Sequence, residues 1–591
     1  MVHGPAALWA LIAASVLVAR VSVASTEFQI NTYTTGYQTP TSVAADGAGN
    51  FIVVWTGRGS SGDGFDVFAR RYDSTGQALG GEFQVNTYTT SAQSAAAVAA
   101  DAAGKFVIVW ASFGGQDGDD AGVFGRRYDS AGLPLGGEFQ VNTYTTDYQR
   151  QPAVAADGAG NFLVVWQSWF QGDQATGLFG QRYDSAGLPV GSEFHINTYT
   201  TDRQESSAVA ADSAGNFVVV WSSKQYSFYR VVGRRYDGAG VPLGGEFQVS
   251  VTPATAQLRP AVAADGAGNS VVVWEEPFSG SEDPYGGVHG QRLDSSGMPV
   301  GGTFQVNTQT TGAQGNAVVA ADGAGNFVVV WESGAYGTQD GSYVGIFGQR
   351  YDSAGLPLGG EFQVNRYTTS WQVYPSVAAD AAGNFLIVWA GTGNQDGSTN
   401  GVFGQRNKPD RLIRGKRMNV RDATGSEGTR SVTIEGRETS TEIGYGIDGD
   451  PTVVGATLRV IATGTSGSDQ TYVLDASGWS RLPNGGFRYL GPSGLDGDPV
   501  KRLILHRTAF ERNAFGKALL KVTLRGSVGI QSLDVVPPNL GDEGGLILQI
   551  GNGGGTYCVA FGGPAGGTEI RDTATLWMIN NATSEPGCPS P

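Results

Sequence analysis

The sequence predicts an all-β chain: a seven-bladed β-propeller closed by its own N-terminal strand, followed by a C-terminal β-sandwich-like domain. Three observations carry this reading. The chain has 91 glycines among 591 residues, about twice the usual share. Glycine weakens helix and strand interiors alike, so the surplus belongs in turns between many short strands. A single unit recurs seven times, its strand-ending tryptophan falling at Trp55, Trp110, Trp166, Trp221, Trp274, Trp331 and Trp389, at intervals of 55, 56, 55, 53, 57 and 58. The first and last copies are offset by one strand, which is how a ring closes on itself. Collagen would need glycine at every third position, and disorder would need few aromatics, whereas 61 Phe, Trp and Tyr residues are present.

Residues 1–24 read as a secretory signal peptide. The apolar run Ala6 to Ala19 is too short to span a bilayer comfortably, and Ser22-Val23-Ala24 forms a small-residue cleavage pattern. No later run approaches eighteen apolar residues, so no membrane span is expected in the mature chain, which would be secreted or held at the cell surface.

Residues 25–407 form the propeller. The third copy shows its four strands: A at Ala153 to Ala156, B at Phe162 to Gln167, C at Leu178 to Tyr183 and D at Glu193 to Thr198. Short Gly-bearing turns follow A (Asp157 to Asn161) and C (Asp184 to Gly187). Strand B is apolar on both faces, which requires cover on both sides. Four-stranded sheets packed radially between two neighbours make a propeller. An isolated D strand opens the mature chain at Phe28 to Thr32, while the seventh copy supplies only A, B and C. Pairing the two closes the ring and removes two exposed edges. A solenoid would need polar capping repeats, and none is visible.

Residues repeated in every copy read as structural. The seven tryptophans are expected to pack between blades. The aspartates opening the A to B turns, Asp46, Asp101, Asp157, Asp212, Asp265, Asp322 and Asp380, read as turn formers. Arg71, Arg127, Arg182, Arg235, Arg292, Arg350 and Arg406 recur at one position of strand C, with no partner identifiable from sequence.

Function is expected where copies differ. The B to C and D to A connections share one face of the ring, and their loops vary in length. Tyr33, Tyr88, Tyr144, Tyr199 and Tyr367 lie in the NTYTT-like D to A loops and are the candidate ligand-binding residues. Asp63, Asp117, Asp119, Asp340 and Asp396 place carboxylates in the B to C loops, the hard-oxygen chemistry of Ca²⁺, although none completes an EF-hand pattern. His195 and His289 occupy strand positions and read as structural, and no Ser/His/Asp or Cys/His constellation assembles. The AADGAGNF turn departs from the sialidase Asp-box, since Gly49 comes one residue late and Ala44 replaces the leading Ser.

Residues 408–421 form a basic linker or a first strand, with six Lys and Arg residues. Residues 422–591 form a β-rich domain in which Cys558 and Cys588 would pair as one disulfide, the plausible state of two thiols in an exported chain. The net charge of -16 argues against nucleic acid and anionic membrane as partners.

The units EFQVNTYTT, DGAGNFVVVW and GVFGQRYDSAG resemble those of secreted bacterial tandem-repeat proteins, across residues 27–406. The tail, GGGTYCVAFGG with Cys588-Pro589, is similar to a C-terminal module of secreted bacterial proteins. The resemblance implies an exported, propeller-like surface protein and transfers no catalytic residue. Three functions remain open: a monomeric, non-enzymatic binding or adhesion protein engaging glycan or protein through the loop face; a polysaccharide hydrolase or lyase; and an architectural envelope protein.

Overall fold

The computed structural model describes residues 27–407, apart from short loop stretches (59–63, 75, 226–227, 250–255, 278–285, 335–338, 340–342, 359–360, 382 and 394). Beyond 410 it describes mainly the backbone of strands between 411 and 580. The signal-peptide segment, Asp63, Asp340 and Cys588 lie outside the described residues, so the proposed disulfide does too.

Seven four-stranded antiparallel sheets form the blades of a β-propeller. The A strands line the centre, each beside the A strands of both adjacent blades, with the first blade's A strand against the seventh's. The ring closes as the sequence predicts: Phe28–Gln29 pairs with strand C of the last blade, Phe28 opposite Gly404 and Gln29 opposite Phe403. In the third blade the strands span Gln149–Ala156, Phe162–Trp169, Thr176–Tyr183 and Pro189–His195. Each strand differs from the sequence reading at one end or both: strand B runs two residues further, to Trp169, and strand C starts two residues earlier, at Thr176. Strand A begins four residues earlier, because a bulge between Arg150 and Ala153 lets pairing resume beyond it. Strand D begins and ends earlier than Glu193 to Thr198. In five of the seven blades it is only a Phe-Gln pair, since an outermost strand has one partner.

Strand B is buried along its length, and its tryptophan packs across the blade junction. Trp110 lies with Ile52, Val54 and Val67 of the preceding blade, and Trp55 with Val388 and Val402 of the last. The seven tryptophans are all fully buried. Strand C carries a glycine where the D-strand phenylalanine crosses it. A Cβ at Gly125 would sit 2.7 Å from the ring of Phe139, so its absence lets that ring lie close on the sheet in six blades, whereas blade one has Ala69 opposite Phe83.

Polar groups fasten the blades together. Each turn aspartate makes an Asx turn: Asp157 Oδ1 accepts from the amides of Ala159 and Asn161, and Oδ2 from Asn161 Nδ2. The strand C arginine reaches the C to D turn of the next blade. Arg127 donates to the carbonyls of Ser185 and Ala186, and Arg292 to those of Ser353 and Ala354. Planar guanidinium donors matched to two adjacent carbonyls explain why this position recurs as Arg. At the outer rim, in blades other than five, the glutamate before the D-strand phenylalanine accepts from a backbone amide of the preceding blade's D to A loop. Glu82 takes Thr32, Glu193 takes Thr143, and Glu27 takes Arg366 to complete the circuit. Blade five has Thr303 at this position.

The strands beyond 410 form one connected twelve-stranded sheet. The basic segment is a strand, Arg411–Asp422, rather than a linker. It pairs in parallel with Thr556–Gly562 over Arg411 to Arg414, then antiparallel with Leu576–Asn580 over Arg417 to Arg421. A register shift between Gly415 and Arg417 on its other edge marks the bend.

At the loop end, a D-strand asparagine holds three segments at once. Asn142 Oδ1 accepts from Val123 N at 2.7 Å, while Nδ2 donates to the carbonyl of Tyr144 and to Asp117 Oδ2. Truncation orphans a buried amide. Asn142→Ala is expected to cost about 3 kcal/mol in urea unfolding, whereas Gln140→Ala, on the exposed side of the same strand, changes stability by less than about 0.5 kcal/mol.

Candidate functional site

The two ends of the ring expose different chemistry. In the propeller, the described large aromatics that are exposed, Tyr33, Tyr37, Phe170, Phe228, Tyr343, Trp371 and Tyr374, all belong to the B to C or D to A end. The opposite end exposes aliphatic residues of the C to D turns, such as Leu133, Leu188, Val241 and Leu356. The C to D turns repeat one Leu-Pro-like unit, whereas the aromatic set, apart from Tyr33 of the repeated NTYTT unit, is drawn from positions where the copies differ.

The tyrosines selected from the sequence divide. Tyr33 is exposed. Tyr88 donates its hydroxyl to the carbonyl of Gly114 at 2.9 Å, and Tyr367 donates to that of Gly393 at 3.1 Å, so both tie their loops to the next blade. Tyr144 and Tyr199 are half-buried, and each offers its carbonyl to the neighbouring D-strand asparagine. The loop carboxylates serve local bonds: Asp117 accepts from Asn142, Asp119 from the amide of Asp147, and Asp396 from that of Ser398. Among the described residues no group of three or more His, Cys, Asp or Glu gathers to hold a metal ion. His195 stacks on Phe179 and faces Asp173 at 2.8 Å, and His289 stacks on Trp274, both within blades.

A polar cluster at the mouth of the central channel carries the most chemistry. In six blades the third residue of the A-strand bulge has positive φ without being glycine: Ala95, Gln151, Ser206, Arg259, Asn316 and Tyr374, with φ between 48° and 56°. The first blade has Pro40 here, whose ring holds φ negative. Non-glycine residues in this region cost about 1–3 kcal/mol and persist only where the surroundings hold them. In blades six and seven, a glutamate of the preceding blade does so. Glu275, next to Trp274, accepts from the amide of Asn316 at 3.0 Å, and Glu332, next to Trp331, accepts from the amide of Tyr374 at 2.6 Å.

These groups are continuous. Arg259 pairs with Glu275 at 3.2 Å and donates to Asn316 Oδ1 at 3.0 Å. Burial pushes the Glu332 carboxyl up to about 7; the Tyr374 amide, the Asn316 side chain and Arg259 oppose that rise, and Glu275 adds to it. The arrangement therefore sets a carboxyl that is protonated over part of the neutral range beside a second one paired with Arg259. One exposed aromatic, Tyr374, belongs to it, and two more, Trp371 and Tyr343, stand farther out on the same end of the ring. Tyr374 is 55% exposed and Trp371 52%, and Trp371 bridges to Val344, next to Tyr343 at 58%.

Selecting the residues that recur hid this site. The position after the tryptophan is Thr56, Ala111, Gln167, Ser222 and Ala390 in five copies and glutamate only in Glu275 and Glu332. Aligning the copies and marking the departures would have found it.

No family model and no curated protein matches the chain. Among solved structures, it is similar to a protein of unknown function from Dyadobacter fermentans, at 10% identity, covering 65% of this chain and 98% of that one, with a TM-score of 0.39. The β-propeller domain of the Trilobed protease from Pyrococcus furiosus matches at 10% identity over 64% and 96%, with a TM-score of 0.37. The GH93 α-L-arabinofuranosidase of Fusarium graminearum matches at 13% over 54% and 93%, with a TM-score of 0.36.

The raised carboxyl makes a pH-dependent contribution. A Glu that binds its proton more tightly when folded contributes most below its ordinary value near 4.5, and that contribution is lost as pH rises through about 7. Glu332→Gln keeps an acceptor for the Tyr374 amide and cannot ionise. Its melting temperature relative to wild type should therefore rise from pH 5 to pH 8; a constant difference would show that Glu332 does not titrate in this range.

Proposed function

We propose that the protein is an exported binding protein that holds a glycan on its loop face, centred on the channel mouth of blades five to seven. The observation that carries this reading is the segregation of exposed aromatics to one end of the ring. Tyr374 stands there beside a fixed set of donors and acceptors, Arg259, Asn316, Glu275 and Glu332, and Tyr343 and Trp371 are exposed on the same end. Flat apolar faces alternating with preset polar groups suit a ligand with apolar ring faces and hydroxyl edges. Aromatics with few rotatable bonds also lose little entropy on binding. The backbone bonds that hold the positive-φ residues fix the cluster before a ligand arrives, which lowers the ordering cost.

A second reading has one observation in its favour. Glu332, whose carboxyl burial pushes up to about 7, shares one cluster with a second carboxylate, Glu275, and glycoside hydrolysis uses such a pair of carboxyl groups. In that reading Glu332 protonates the leaving oxygen and Glu275 activates water.

A glycan array probed with the protein, followed by titration of the strongest hits, tests the first reading. Trp371→Ala with Tyr374→Ala is expected to weaken binding at least about tenfold, while Leu133→Ala on the opposite end leaves it unchanged. Equal loss from both would remove the site assignment. Release of reducing ends from a bound glycan, abolished by Glu332→Gln with binding retained, would select the hydrolase instead.

A further inference from the structure

A cavity of about 390 Å³ opens between blades five and six at the A to B turn end, away from the loop face. The same place between blades two and three holds only about 20 Å³. The two linings correspond residue by residue. They share the turn aspartate (Asp101, Asp265), the strand C arginine (Arg127, Arg292) and the next blade's phenylalanine (Phe162, Phe327). Within that shared lining they differ at three positions, and each difference is from large to small. Lys105, Phe106 and Tyr128 of the closed junction become Asn269, Ser270 and Leu293 in the open one.

The exchange removes a repeated feature. The first residue of strand B is Phe51, Phe106, Phe162, Phe217, Phe327 and Phe385 in the other six copies. It pairs across the sheet with the last residue of strand C, and Phe106 on Tyr128, Phe162 on Tyr183 and Phe327 on Tyr351 stack at 4.8–4.9 Å. Blade five alone loses both rings, since Ser270 pairs with Leu293. An unfilled void of this size destabilises a core, and 390 Å³ falls within the range of small-molecule pockets.

We propose that this cavity binds a neutral, single-ring aromatic molecule bearing a hydroxyl group, which takes the place of the missing ring pair. Val271, Leu293, Val300 and Phe327 supply apolar walls, one of them aromatic, and Ser270 supplies a hydroxyl. A charged ligand is disfavoured. Asp265 and Arg292 both line the cavity, so an ion of either sign meets a like charge, and both are already engaged: Asp265 accepts from the amides of Ala267 and Asn269 and from Asn269 Nδ2, and Arg292 spends two of its five donors on carbonyls. The site stands apart from the loop face and does not depend on the glycan reading.

Phenol is the probe. Titrated into the folded protein, it should bind saturably and raise the melting temperature. The triple variant Asn269→Lys, Ser270→Phe, Leu293→Tyr rebuilds the blade two lining, and it should melt higher without ligand and bind phenol at least about tenfold more weakly. In parallel, anomalous scattering from crystals soaked with 4-bromophenol should place bromine between Ser270, Leu293 and Phe327, a readout that does not depend on any variant. No saturable binding of phenol, equal binding by a folded triple variant, or bromine found only elsewhere would each overturn the proposal.

Discussion

A four-stranded sheet with two apolar faces cannot be stable alone in water, and every feature of this propeller follows from the need to cover both. Strand B is buried throughout because blades stand on either side of it. Each tryptophan reaches into the preceding blade, so no blade completes its own core. The requirement is satisfied only when the seventh blade meets the first, which is why two residues of an N-terminal strand, Phe28 and Gln29, matter beyond their size.

Apolar burial has no direction, so the angle and order of the blades must come from polar contacts. Three sets supply it: arginine to the next blade's turn carbonyls, glutamate to the preceding blade's loop amide, and asparagine across its own blade's loop end. Where a repeat residue is replaced, the neighbourhood adapts. Blade four has Ser250 in place of the asparagine, and Gln257 Oε1 accepts from Val231 N instead. Blade five has Glu276 receiving Trp274 Nε1, the role that the A-strand glutamine plays for Trp110 and Trp221.

Departures from the repeat divide into those that are compensated in this way and those that leave something over. The channel-mouth glutamates hold strained backbone in place and bring a high proton affinity and exposed aromatics with it. The Ser270 and Leu293 exchange leaves a cavity that no other described residue refills. Uncompensated departures on a repeated scaffold are where ligand chemistry has room to act, because the scaffold bears the stability cost.

Periodicity alone determined the blade count, the strand order within a blade, the ring closure and the turn role of the aspartates, because each rests on local pattern or on counting strands. In blade four the segment Lys224 to Arg230 reads from sequence as a B to C loop, but the structure makes nearly all of it strand. There the strands Phe217–Gln225 and Phe228–Tyr236 run nearly together, and alternating polar residues at a hairpin tip resemble a loop in sequence. Only the tertiary structure supplied the arginine's partners, which lie 58 to 59 residues away for Arg127, and showed Tyr88 and Tyr367 to be tethers. It also gathered Arg259, Glu275, Asn316, Glu332 and Tyr374, five residues spread over 115 positions and three blades. Repetition in sequence records what every blade shares, whereas a site is made where unlike blades meet, and that meeting exists only once the ring is closed.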